Sequence, residues 1–193
     1  MSLFTRPWVL WCALAAPGVW WLYGYLAERI FYGQLIQLTG DFSVQLLIAT
    51  LAVTPLSRLF PDAGLSRWLR ARRRNLGVAS FAYAAFHTVV YLDRKASLSR
   101  IVDEALEWSM LTGWLAMLIF LALALTSNNR AVRSLKRRWQ QLHWWVYPAA
   151  ALAFIHWWLG AFDPTSAYIH LAILLSVLSF RLLPQRRRSN QSR

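Results

Sequence analysis

The sequence predicts an all-α, polytopic membrane helix bundle of six transmembrane helices with both termini in the cytoplasm. Three observations carry that expectation. The 193 residues are 58% hydrophobic and only 15% charged, against about 25% charged in an ordinary soluble domain. The apolar residues fall in six long runs. The basic residues cluster between those runs and collect on alternate sides of them.

Each run is near the roughly 17 to 25 residues that a helix needs to cross the hydrocarbon core. They cover about 8–27, 42–60, 76–92, 108–126, 143–161 and 167–183. The first could pass for a signal peptide, but no A-x-A cleavage site precedes a polar mature segment, and it is read as a span. The third and sixth are short and can extend into their flanks. Pro17, Pro55 and Pro148 lie within runs, where each is expected to bend a helix and free a carbonyl for a neighbour. Twelve tryptophans are far above common usage and suit the two membrane interfaces.

Orientation follows from counting. With the N-terminus inside, 17 of the 21 Lys and Arg residues face the cytoplasm, including Arg70, Arg72, Arg73 and Arg74, then Arg133, Lys136, Arg137 and Arg138, then Arg186, Arg187 and Arg188. The outer side keeps Arg29, Arg94, Lys95 and Arg100 with seven of the eight acids. The net charge of +13 therefore reads as topology and lipid contact, not as a nucleic-acid surface. The basic inner face could also attract an acidic protein or a flavin phosphate. No connection is long enough for a nucleotide-binding, flavin-reductase or molybdenum domain, so one transmembrane domain over 1–193 is expected. The single cysteine, Cys12, excludes an internal disulfide, and C-x-x-C-H for covalent haem attachment is absent.

Ionisable residues at membrane depth mark function, and here they are almost all histidines: His87, His143, His156 and His170. His87 lies about 11 residues into the third run and His156 about 13 into the fifth. Both runs go from inside to outside, so the imidazoles reach similar depths at about 1.5 Å per residue. Two neutral imidazoles on facing helices can supply the axial nitrogens of one haem iron. Ala84 and Ala153, one turn away, and Gly160 leave space for a flat macrocycle. Interhelical hydrogen bonds and a proton relay compete with that reading. A zinc site fits less well, because no carboxylate or cysteine shares that depth. His143 sits near the cytoplasmic interface, 13 residues before His156. Thirteen steps of about 100° put the two on different helix faces unless Pro148 bends the chain. His143 could serve a second haem, a flavin or a quinone, or donate to a phosphate or propionate. His170 begins the sixth run near the outer face with no partner in view.

Three strings then carry a family resemblance: Arg72-Arg73-Arg74-Asn75-Leu76-Gly77 leading to His87, Leu125-Thr126-Ser127, and Trp139-Gln140-Gln141-Leu142-His143-Trp144-Trp145-Val146-Tyr147 followed by His156. With them the chain resembles, over nearly its whole length, the MsrQ (YedZ) family of haem-binding membrane subunits of bacterial methionine-sulfoxide reductase systems. These belong to the wider ferric-reductase-like transmembrane superfamily. The resemblance implies haem b as cofactor, with His87 and His156 as the iron's axial pair and His143 as a further functional histidine and possible ligand. It also implies FMN, a cytoplasmic flavin reductase as donor, and a periplasmic molybdopterin-containing methionine-sulfoxide reductase subunit as acceptor, in a bacterial inner membrane. The chain would then be an electron-transfer subunit and not the catalytic one. Two-haem members of the superfamily carry two histidines on each of two helices, whereas here the position 13 residues before His87 is Arg74. One haem is therefore expected. Two other readings stand beside this: a quinone-linked cytochrome b of another redox complex, and a haem-free transporter or assembly protein using the histidines as a proton path.

Overall fold

A computed structural model describes residues 7–95, 98–161 and 163–180. The described residues are helical throughout, in nine helices joined by short turns. They are α1 (Pro7–Leu26), α2 (Tyr32–Leu59), α3 (Gly64–Lys95), α4 (Leu98–Ala105), α5 (Trp108–Leu125), α6 (Asn129–Leu135), α7 (Arg137–His143), α8 (Val146–Gly160) and α9 (Thr165–Ser179). The protein is an all-α, multi-pass membrane helix bundle: α1, α2, α3 and α5 are each long and apolar enough to cross a bilayer. The helices α8 and α9 have 15 residues each, about 22 Å of rise. The last residues of the sixth expected run, 181–183, and the C-terminal arginines lie outside the described residues.

Large apolar side chains cover the outside, among them Trp20 at 67% exposure, Trp108 at 75% and Trp144 at 74%. In water such a surface would aggregate; facing lipid it costs little.

Two stretches expected as connections are helical. The basic segment 64–75 forms the first three turns of α3. It has arginine, a good helix former, and leucines at Leu65, Leu69 and Leu76, with no glycine or proline between Gly64 and Gly77. At 32 residues α3 is about 48 Å long, so it outruns a core of roughly 30 Å. The connection between α3 and α5 carries α4, tied back to α3 where Glu104 accepts from Tyr91 Oη at 3.0 Å and pairs with Lys95 at 2.5 Å.

The central helix is α2. One side packs in an apolar cluster with α8 and α9 (Val44, Leu47, Ile48 and Leu51 against Ala150, Phe154 and Leu174). The other packs with α1 and α3 (Leu46 and Val53 against Leu14, Leu76, Ala79 and Tyr83). Lipid supplies no hydrophobic drive between helices, so close packing and polar contacts must hold them. Ser43 and Ser80 provide one such contact: each hydroxyl donates to the other's carbonyl at 2.9 Å, stitching α2 to α3. At Pro17 the ladder of α1 is opened by a side chain from α3. Tyr83 Oη accepts from the Gly18 N–H at 2.8 Å and donates to the Leu14 carbonyl at 2.7 Å. A hydroxyl inserted next to a proline is a recognised cause of a helix bend.

The fifth run is not one helix. The chain leaves α7 at His143 and re-enters helix at Val146, so Pro148 occupies the first turn of α8, where its missing N–H costs least. A count of 100° steps from His143 to His156 consequently does not apply.

Candidate functional site

His87 comes from the C-terminal part of α3 and His156 from the C-terminal part of α8. Their ring centres are 6.3 Å apart with planes at 89°. Each ring is anchored in the same way. His87 Nδ1 is 2.9 Å from the Ile36 carbonyl of α2, and His156 Nδ1 is 2.7 Å from the Ser109 carbonyl of α5. A carbonyl can only accept, so each Nδ1 carries the proton and donates, which leaves Nε2 as the bare lone pair of a neutral imidazole. Neither Nε2 has a hydrogen-bond partner among the described residues.

The rings also lie directly on backbone. A Cβ at Gly40 would sit 3.1 Å from His87 Nδ1, and a Cβ at Gly113 only 2.7 Å from His156 Nδ1. Glycine at both positions lets the helices close until ring and carbonyl meet. Gly160, in contrast, faces open space.

This donor set suits a metal that brings most of its own ligands. No group of three or more His, Cys, Asp or Glu side chains among the described residues could hold a bare metal ion. A metal-bound imidazole nitrogen sits about 2 Å from the ion. Two imidazoles sharing one ion therefore have ring centres roughly 6 Å apart, which matches the separation of His87 and His156. The Nδ1–H to carbonyl bonds are the supporting contacts that fix tautomer and ring direction in metal-binding histidines. The residues present fit the axial positions of a haem.

His143 stands apart from this pair, at the end of α7. It stacks on Trp139 at 3.9 Å, and its Nδ1 donates to the Trp139 carbonyl at 3.1 Å. Its Nε2 is 3.4 Å from Ser127 Oγ. Trp139 in turn donates from Nε1 to the Thr126 carbonyl at 2.9 Å, so the Leu125-Thr126-Ser127 string forms the floor of this corner. Arg74 donates to Asn129 Oδ1 at 2.7 Å, and Arg73 Nε to the Thr50 carbonyl at 3.3 Å. Three sequence strings far apart in the chain thus meet in one basic, aromatic corner. His170 belongs to neither place: its Nδ1 donates to the Ser166 carbonyl at 2.8 Å, its Nε2 is 3.4 Å from Gln45 Nε2, and its ring lies 5.2 Å from Trp157.

The ferric reductase like transmembrane component model matches residues 39–154, an interval from Thr39 on α2 to Phe154 on α8. The chain belongs to that family. Its relatives place it in the branch of methionine-sulfoxide reductase subunits. It is 37% identical over 148 residues to the protein-methionine-sulfoxide reductase heme-binding subunit MsrQ of Xanthomonas campestris pv. campestris (strain B100), covering 75% of this chain and 66% of that protein. Over 186 residues it is 35% identical to the MsrQ of Brucella ovis, covering 92% of this chain and 81% of the relative. The MsrQ of Xanthomonas oryzae pv. oryzae (strain MAFF 311018) is 37% identical over 147 residues. The chain thus spans about two thirds of the length of the Xanthomonas relatives that it matches. No solved structure matches it.

Gly40 and Gly113, which lie against the two rings, and Thr39 and Thr112 beside them in the chain bear none of the chemistry that marked the histidines. A signal was present: Leu-Thr-Gly occurs at 38–40 and again at 111–113.

Proposed function

We propose that the chain is a haem b electron-transfer subunit of a bacterial inner membrane, with six spans and both termini cytoplasmic. It passes electrons from a cytoplasmic flavin reductase or reduced flavin to a periplasmic molybdopterin-containing methionine-sulfoxide reductase. The observation that carries this reading is the His87–His156 pair: ring centres 6.3 Å apart, both Nδ1–H groups committed to carbonyls, both Nε2 lone pairs left over. The names of the relatives supply the heme and the methionine-sulfoxide reductase system.

Haem, when bound, supplies the one-electron chemistry. The chain's own part is to hold and shield it. His87 and His156 would hold the haem iron through their Nε2 nitrogens, a ligation that would suit it to relaying electrons. The bundle excludes water, and the carbonyls of Ile36 and Ser109 keep the two Nε2 lone pairs available. At the inner end, Arg73, Arg74, Trp139 and His143 form a basic and aromatic corner suited to a phosphate-bearing flat ring such as FMN. Basic residues at the inner helix ends attract anionic lipid and an acidic donor surface.

Absorbance of the detergent-purified protein tests the reading. We expect a Soret band with low-spin iron, abolished by His87→Ala and by His156→Ala. His143→Ala should leave that band largely in place. No Soret band, or one indifferent to the first two substitutions, would remove the haem. Failure of reduced flavin plus flavin reductase to reduce a haem that quinol reduces readily would favour a quinone-linked cytochrome.

A further inference from the structure

The anchors of the two histidines are copies of each other. On α2 the hydrogen-bonding carbonyl is Ile36, followed by Thr39 and Gly40. On α5 it is Ser109, followed by Thr112 and Gly113. The offsets are identical, and residues at i, i+3 and i+4 share one helix face. Carbonyl and glycine therefore meet the same ring in both cases, with the threonine beside them on that face. The strings Gln37-Leu38-Thr39-Gly40 and Met110-Leu111-Thr112-Gly113 lie 73 positions apart, in different helix pairs, α2 with α3 and α5 with α8.

The glycine's part is steric and already clear. The threonine's part is finer. Thr39 Oγ1 donates to the Leu35 carbonyl at 2.8 Å and reaches the Ile36 carbonyl at 3.1 Å. Thr112 Oγ1 donates to the Trp108 carbonyl at 2.8 Å and reaches the Ser109 carbonyl at 2.9 Å. Both threonines are buried. Thr50, Thr88 and Ser176 also bond back along their helices, because a hydroxyl in hydrocarbon needs an acceptor. Thr39 and Thr112 differ in what they share: each reaches the carbonyl that an imidazole Nδ1–H also uses.

We infer that the two Leu-Thr-Gly strings are matched sockets for the axial histidines, in which Thr39 and Thr112 are positioning residues that set how strongly each Nδ1–H is held. This rests on the haem reading above. An acceptor divided between two donors pulls less on each. Without the hydroxyl the carbonyl draws harder on Nδ1–H, Nε2 becomes more electron-rich, and a bound iron is stabilised in its oxidised form. The threonines therefore raise the reduction potential, and they do so from both faces.

The test compares Thr39→Val, Thr112→Val and the double variant with Thr39→Ser and Thr112→Ser, in full-length detergent-purified protein. Haem per chain is measured first, and then the midpoint by optical redox titration. Each valine variant should keep its haem and raise the oxidised-to-reduced ratio at a fixed ambient potential, about two- to tenfold for the loss of one competing hydrogen bond. The double variant should shift further, and serine should restore the wild-type value. Loaded valine variants with an unchanged midpoint overturn the inference. Should a valine variant purify empty, its serine counterpart decides: loaded at the wild-type midpoint supports the hydroxyl's role, and empty or shifted overturns it. Wild-type protein without haem would overturn the electron-transfer reading and the sockets together, and so is distinct from loaded wild type with indifferent variants.

Discussion

At the scale of single residues, this bundle uses side-chain hydroxyls and glycines where a soluble protein would use apolar bulk. Tyr83 is the most exacting case, because its hydroxyl serves both the Gly18 N–H and the Leu14 carbonyl of α1. Its ring packs edge-on against Phe42 at 4.7 Å and Trp21 at 6.0 Å, contacts that phenylalanine would keep. Tyr83→Phe therefore isolates the hydroxyl. It should cost about 1–3 kcal/mol, the range for leaving a buried polar group unpaired, read as a lowered unfolding temperature in detergent. An unchanged temperature would mean that α1 closes its own ladder once the hydroxyl is gone. Nothing in the local sequence announces this contact, since Pro17 and Tyr83 are far apart in the chain. The histidines were legible because a titratable group at membrane depth is costly and stands out. Their sockets were not, because a carbonyl has no sequence signature and a glycine in a helix reads first as a weak point.

At the scale of elements, the helices were legible and their ends were not. Apolar runs locate the parts that meet lipid, but hydropathy is blind to helix that continues into water, as the first turns of α3 do. The break between α7 and α8 is similar: Pro148 was visible, but the turn falls ahead of it, between His143 and Val146. The turn into α9 yields a pH prediction. Asp163 accepts from the Thr165 N–H at 2.9 Å, and the Thr165 hydroxyl, then that N–H, hold its carboxyl below the usual carboxylate range. The folded form thus binds its proton less readily than the unfolded chain. The contribution is fully present above the ordinary aspartate value of about 3.9 and is lost as pH falls through the lowered folded value. Asp163→Asn should flatten the acid limb of the unfolding profile below about pH 4 and leave neutral pH nearly untouched. Equal acid limbs in the two proteins would show that the turn contributes nothing measurable.

At the scale of the whole molecule, orientation decides which way the proposed electron transfer runs, and it rests on charge asymmetry rather than on any contact. Single cysteines placed in a Cys12→Ser background test it in intact cells and in inverted vesicles. Asp62→Cys and Ser134→Cys should react with an impermeant thiol reagent only from the cytoplasmic side, and Asp103→Cys and Asp163→Cys only from the other. The reverse pattern would turn the proposed donor and acceptor around. A mixed pattern between the Asp103 and Asp163 sites would instead show that the 15-residue helices α8 and α9 do not both cross.

The sequence by itself determined the membrane class, the helical fold and the family, and it singled out the histidines as candidates. Each of these follows from composition, periodicity or local strings, which are properties of the chain before it folds. Only the tertiary structure decided that His87 and His156 meet at 6.3 Å, that both Nδ1–H groups are spent on carbonyls of α2 and α5, and that His143 lies apart against Trp139. The physical reason is that matched depth is one coordinate of three. Rotation of each helix about its axis, and how closely its neighbours approach, are set by packing at Gly40, Gly113 and the Ser43–Ser80 pair. The repeated Leu-Thr-Gly string lay open in the chain throughout. It acquired a meaning only when two different helices were seen to present it to two different histidines.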